Sequence, residues 1–201
     1  ADMALDVAAA TALAFRLAQA FDRAAANPTE AAYARLMTPV IKYWNCKIAT
    51  PLIYEALECL GGNGYVEEGN LSRHFREAPL NGIWEGSGNV IALDILRSLT
   101  KDRDAGAALE AELAAPRQGN GPYEAAFADW RIRWKGGTAE NQARQFADET
   151  ARLLTASVLI RHAPSPVAEA YAATRLGGRS TVYGATPGLP VDALMKRLGP
   201  A

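Results

Sequence analysis

The sequence predicts an all-α protein: a bundle of helices followed by a second, also helical, part. Three observations lead there. Alanine, the best helix former, is the commonest residue at 41 of 201. Apolar residues recur at steps of three and four over long stretches, and sustained alternation of polar with β-branched residues, the mark of a half-buried strand, is hard to find. The chain is 49% hydrophobic with a formal charge of -1, which excludes disorder and fits one or two globular units with a real core.

From Ala4 to Ala26, Leu5, Ala8, Ala12, Phe15, Leu17 and Phe21 lay an apolar stripe along one helical face. Asn27-Pro28-Thr29-Glu30 then signals a turn and a new start, with Asn27 as N-cap, Pro28 at the first helical position and Glu30 reaching back from the third. The following helix keeps apolar positions at Tyr33, Met37, Val40, Trp44, Ile48, Leu52, Ala56 and Leu60. Pro39 and Pro51 interrupt it, so a kink or break is expected at each. Gly61 to Gly64 stops it, and Tyr65 to Gly88 reads as a long ordered loop or two short turns. Asn89 is placed to cap a further helix to about Ser98, and helical pattern restarts from Asp104 to Ala114.

Pro116 to Pro122, rich in Gly and Asn, is the best boundary, which divides the chain into residues 1–115 and 121–201. Beyond it, Tyr123–Lys135, Ala139–His162 and Val167–Leu176 read as helices, with a short one at Asp192–Leu198. Charge divides there too: residues 1–120 carry 11 basic and 15 acidic side chains, and residues 121–201 carry 10 and 7. The basic excess permits an anionic partner for the second part.

His74 and His162 stand alone, and Cys46 and Cys59 lie 13 apart, so neither a metal site nor a disulfide framework is expected. Two cysteines point to a reducing, cytoplasmic setting. No apolar run approaches the roughly 20 residues of a spanning helix, so no membrane role is expected.

Two stretches carry candidate chemistry. Leu60-Gly61-Gly62-Asn63-Gly64-Tyr65 reads by itself as a glycine C-cap and a tight turn. A phosphate cradle meets the objection that the C-terminal end of a helix repels anions, so only local N–H groups would attract a pyrophosphate. Ile83-Trp84-Glu85-Gly86-Ser87-Gly88-Asn89 sets a carboxylate between a large aromatic and flexible glycines. Glu85 is then either an ordinary loop carboxylate near a helix start, or a general base that Trp84 and Ile83 dry in a cleft.

Together, residues 58 to 99 (ECLGGNGYVEEGNLSRHFREAPLNGIWEGSGNVIALDILRSL) resemble the C-terminal helical domain of acyl-CoA dehydrogenases. The resemblance is nearest to the AidB branch, the alkylation-response flavoproteins. Residues 2 to 60 are similar to the second and third helices of that domain, so the fold implied is its four-helix-bundle type without the first helix. Residues 101–201 look, more loosely, like the helical extension of the AidB branch.

The resemblance implies roles by position. Glu85 matches the glutamate that takes the α-proton of an acyl-CoA thioester while hydride leaves the β-carbon for a flavin. Ser87 and Asn89 match positions that contact FAD, each shorter than the commoner Thr and Gln, and Trp84 stands among them. Gly61, Gly62 and Gly64, with Glu58 where relatives often have Gln, match the loop that touches the FAD of a neighbouring subunit. The family's β-domain and N-terminal helices have no counterpart in the 201 residues, so the chain alone is expected to be catalytically silent. A homotetramer is implied as well.

The second part suggests another class of partner. Trp130-Arg131-Ile132-Arg133-Trp134-Lys135 interleaves aromatics with cations, and Arg144, Arg152, Arg161, Arg175 and Arg179 follow. With Phe127, the two tryptophans equally form a core stripe with charges on its solvated side. The AidB resemblance implies sequence-independent contact with double-stranded DNA, with Arg97 and Arg175 where that branch places arginines. Three readings therefore stand: a dehydrogenase domain, a DNA-binding scaffold, and a plain oligomerisation bundle.

Overall fold

The computed structural model describes residues 1–116, 119–178 and 182–199. Ten α-helices occur among them. They are α1 Asp2–Ala24, α2 Pro28–Cys59, α3 Gly62–Tyr65, α4 Leu71–Asn81, α5 Gly88–Lys101, α6 Arg103–Ala114, α7 Gly121–Trp134, α8 Ala143–His162, α9 Ser165–Tyr171 and α10 Val191–Arg197. A 3-10 turn at Glu140–Gln142 leads into α8, and a π-turn at Ala172–Leu176 continues α9. No strand occurs among the described residues, as the composition predicts.

Local signals act where they were read, with corrections. Asn27 caps α2, its side chain accepting from the N–H groups of Thr29 and Glu30 at 3.0 and 3.3 Å. Glu30 does not reach back to complete a capping box; its carboxylate is drawn instead to Arg16 of α1 at 2.8 Å. Helix α2 runs unbroken for 32 residues through Pro39 and Pro51. Beside the first of these, the Thr38 hydroxyl donates to the Ala34 carbonyl at 2.7 Å. Helix α5 starts one residue before Asn89, with Ser87 as its N-cap. Asp102 caps α6 by accepting from Asp104 and Ala105.

The expected loop between Tyr65 and Gly88 contains α4, which seats Phe75 against Tyr54 of α2 with ring centroids 5.8 Å apart. Leu71, Phe75 and Ala78 fall at i, i+4 and i+7 along it, an apolar period that the flanking glycines and the internal Pro79 obscure in the sequence.

Helix α8 is the hub. Phe146, Leu153, Leu154, Val158 and Leu159 are buried on it, and it packs on α1, α2, α5, α6, α7 and α9. One continuous apolar core therefore joins helices from both sides of the Pro116–Pro122 stretch. Helix α1 is long and apolar enough to cross a membrane by length and composition, contrary to the sequence expectation. It nevertheless buries Leu5, Ala9 and Leu13 against its neighbours, and it carries Asp2, Asp6 and Arg16 buried. Its other face is open, with Phe15 and Phe21 exposed.

Candidate active site

The connection from α4 to α5 carries the acidic motif. The amides of Ile83 and Trp84 both donate to the Leu80 carbonyl, at 2.9 and 3.0 Å, which winds the end of α4 into a tight turn. Glu85 follows at φ 55, the one non-glycine residue with positive φ among the described residues. A side chain there is strained, and such strain persists only where the surroundings enforce it. The Lys42 ammonium of α2 donates to the carbonyls of Trp84 (2.9 Å) and Gly86 (2.7 Å), one on each side of Glu85.

Two glycines of the motif lie close to neighbouring side chains, and at Gly86 the positive φ itself favours glycine. Gly86, at φ 115, would bring a Cβ within 3.0 Å of Ile91 Cγ1. A Cβ on Gly88 would lie 3.0 Å from Lys47 Cε and 3.5 Å from Tyr43. Connection and helix α2 are thus pressed together.

Within this chain nothing dries the carboxylate. Glu85 is exposed, and Ile83, Trp84 and Val90 stand 63%, 56% and 56% exposed beside it. The expectation that Ile83 and Trp84 enclose it is corrected: the three side chains form an outward-facing wall. Ser87 makes no side-chain capping bond. Asn89 accepts from Arg144 at 3.4 Å, and the same guanidinium donates to the Tyr43 hydroxyl at 3.5 Å. A cavity of about 380 Å³ opens there, between Asn89, Ala92, Leu93 and Arg144. The larger cavity, about 850 Å³, contains no residue of either motif. Burial pushes the Cys46 thiol of α2 up, against the opposing pull of Lys42 and Lys47.

The glycine motif divides. A Cβ at Gly61 (φ 57) or at Gly62 would meet nothing within 4 Å, so their backbone is open to approach. Gly64 is buried, and a Cβ on it would stand 2.1 Å from the Leu57 carbonyl oxygen. Gly64 therefore lets α3 fold back on α2. Gly88 rests near Lys47 and Gly64 near Leu57, ten helical residues on, so the two motifs lie roughly 15 Å apart along α2.

The arginines part company. Arg97 is exposed on α5. Arg175 is 2% exposed, with Nε donating to Asp6 at 2.9 Å and Nη2 to Asp2 at 2.5 Å. Burial opposes its charge, and the two carboxylates overcome this and raise its proton affinity. A guanidinium spent inside the fold has no face for a phosphate, so the DNA role read for Arg175 is corrected. Arg131 pairs with Glu110 and Arg133 with Glu149. Trp130 and Trp134 donate their ring N–H groups to Thr150 and Glu149, and both pack on Phe146, so this stretch is a core stripe. Arg179 lies outside the described residues. Sequence reasoning missed Lys42, Lys47 and Arg144 at the site, since only the return of a distant segment onto α2 brings them there.

The fold is that of an all-helical domain of the acyl-CoA dehydrogenase C-terminal type. The chain belongs to the acyl-CoA dehydrogenase family: residues 1–100 match the family described as "Acyl-CoA dehydrogenase, C-terminal domain". Among relatives, it is 37% identical over 180 residues to "Putative acyl-CoA dehydrogenase AidB" of Escherichia coli (strain K12), covering 90% of this chain and 33% of that protein. It is 35% identical over 101 residues to the bovine mitochondrial short-chain specific acyl-CoA dehydrogenase, covering 50% of this chain and 23% of that one. Among solved structures, Caenorhabditis elegans ACDH-11 in complex with C11-CoA superposes with a TM-score of 0.69 at 27% identity. That match covers 84% of this chain and 34% of the other. The chain thus spans a third or less of these curated relatives.

Proposed function

We propose that the chain is the C-terminal helical part of an FAD-dependent acyl-CoA dehydrogenase subunit, in which Glu85 takes the α-proton of an acyl-CoA thioester. The observation that carries this is a carboxylate set in a left-handed turn within an exposed apolar wall of Ile83, Trp84 and Val90. An exposed apolar patch around a fixed charge marks a surface meant to be covered. The chain covers 33% of its AidB relative, which leaves the covering wall to the rest of the subunit.

The residues fit the cofactor. Gly61 and Gly62 leave their backbone open to a large planar or phosphate-bearing group. Ser87, without a capping bond, retains its hydroxyl, and Trp84 offers an exposed ring. Contact of the glycine motif with the flavin of a neighbouring copy, in a homo-oligomer read here as a tetramer, belongs to the same reading. Bound FAD would accept hydride; this chain's residues would hold it and remove the proton. Alone, the chain has no acceptor, and we read it as inactive. A cytoplasmic location is part of the same reading.

Glu85→Gln in the full-length subunit is expected to lower kcat by at least about a thousandfold while leaving flavin content unchanged. Retained turnover sinks the assignment. A second reading, sequence-independent binding of double-stranded DNA, rests on the exposed Arg97 and on the likeness to the AidB relative. Arg97→Glu, not Glu85→Gln, is the change that would weaken it and flatten its salt dependence.

A further inference from the structure

We propose that Lys42 is a positioning residue for Glu85, and the inference rests on the catalytic reading of that glutamate. Carbonyls on both sides of one residue converge on a single cation only when the chain turns sharply between them. Glu85 at φ 55 and Gly86 at φ 115 make that turn, and the Lys42 ammonium closes it at 2.9 and 2.7 Å.

The opposite face of the turn is also fixed, because Gly86 lies against Ile91 so closely that a Cβ would stand 3.0 Å from it. Lys42 itself is anchored by its place on α2, between the buried Ile41 and Tyr43. Charge-assisted hydrogen bonds are among the stronger ones, and here they oppose the strain of a left-handed glutamate. Glu85 therefore keeps one backbone setting without any contact to its own carboxylate, which stays available for a substrate proton. Lys42 acts through backbone oxygens and not on the reacting atoms.

The test has two arms. In the full-length subunit, Lys42→Met is expected to lower kcat by about tenfold or more with the KM for acyl-CoA within about twofold, and Lys42→Arg is expected to recover most of the loss. An unchanged kcat, or a loss that arginine does not recover, overturns the inference. The second arm needs no activity. In the 201-residue chain, Glu85→Gly relieves the strained turn and raises Tm, and that gain is expected to shrink by about half or more when Lys42→Met is also present, because the turn is then free to relax. Equal gains in both backgrounds overturn the positioning role whatever the enzyme does. A wild-type full-length subunit that fails to dehydrogenate any acyl-CoA overturns the catalytic reading instead and leaves the Tm comparison standing.

Discussion

Glycines that look equivalent in a motif do unlike work. In Gly61-Gly62-Asn63-Gly64, the first two present open backbone, whereas Gly64 is where α3 touches α2. A methyl group there would overlap the Leu57 carbonyl at 2.1 Å, and backbone on both sides leaves little room to give. Gly64→Ala is expected to destabilise the chain by about 1–3 kcal/mol, as overpacking does, while Gly62→Ala costs much less. Urea midpoints of the two variants check this; equal losses refute the division. At this scale the motifs were legible but not their jobs, since the spacing of three glycines says nothing about which one a distant carbonyl approaches. Arg175 shows the same limit: it read as a cation for solvent because Asp2 and Asp6, which bury it, lie about 170 residues earlier.

Helices carry their own start signals more openly than their continuity. Asn27, Pro28 and the run after them located the beginning of α2 correctly, because a cap is a local bond between near neighbours. Asn27→Ala is expected to cost about 1 kcal/mol, read as a lower thermal midpoint, and Asn27→Ser should recover most of it. Pro39 and Pro51 misled in the other direction. Each removes one internal hydrogen bond, yet α2 continues because the buried residues on either side, among them Leu36, Val40, Trp44 and Ile48, hold it against its neighbours. Helix α4 was missed although Leu71, Phe75 and Ala78 keep a helical period, because Gly69, Gly82 and the internal Pro79 read as breakers around so short a run. The acidic motif itself was visible, while the lysine beneath it was not: Lys42 sits on a different element and meets the motif only in three dimensions.

Across the whole molecule, ion pairs bind the end of the chain to its beginning. Asp2 receives Arg175, the Gly184 amide and the Thr186 hydroxyl, at 2.5, 3.0 and 3.1 Å. Burial alone would push its pKa up, but Arg175 and these donors together hold it below the ordinary 3.8. A carboxyl depressed in the folded state contributes stability that is present above its unfolded value and lost as pH falls through the folded one. The acid-side loss from Asp2 therefore begins near pH 3.8 and deepens below it. Asp2→Asn should give a chain less stable at neutral pH whose stability falls less steeply below that point, as measured by denaturant midpoints across pH; parallel curves would contradict it.

A second ionic cluster crosses the fold. Arg16 of α1 lies 4.1 Å over the Tyr33 ring and meets Glu30 of α2 at 2.8 Å and Glu112 of α6 at 3.0 Å, while Arg161 of α8 also donates to Glu112. Burial opposes the charge on Arg16, and the two glutamates more than offset that and hold it protonated. Four helices thus share one charge balance, and truncating Glu112 would leave Arg16 with Glu30 alone and take from Arg161 the carboxylate it donates to.

That α8 lies at the hub has a consequence for anyone dividing this polypeptide into modules. A graft that moves residues 1–115 alone onto a shorter relative would uncover the sides of α1, α2 and α5 on which α8 now packs, and would leave Glu112 without Arg161. Exchange between relatives with and without this tail must carry the tail or redesign that contact surface, so the two stretches are better treated as one inherited unit than as interchangeable parts.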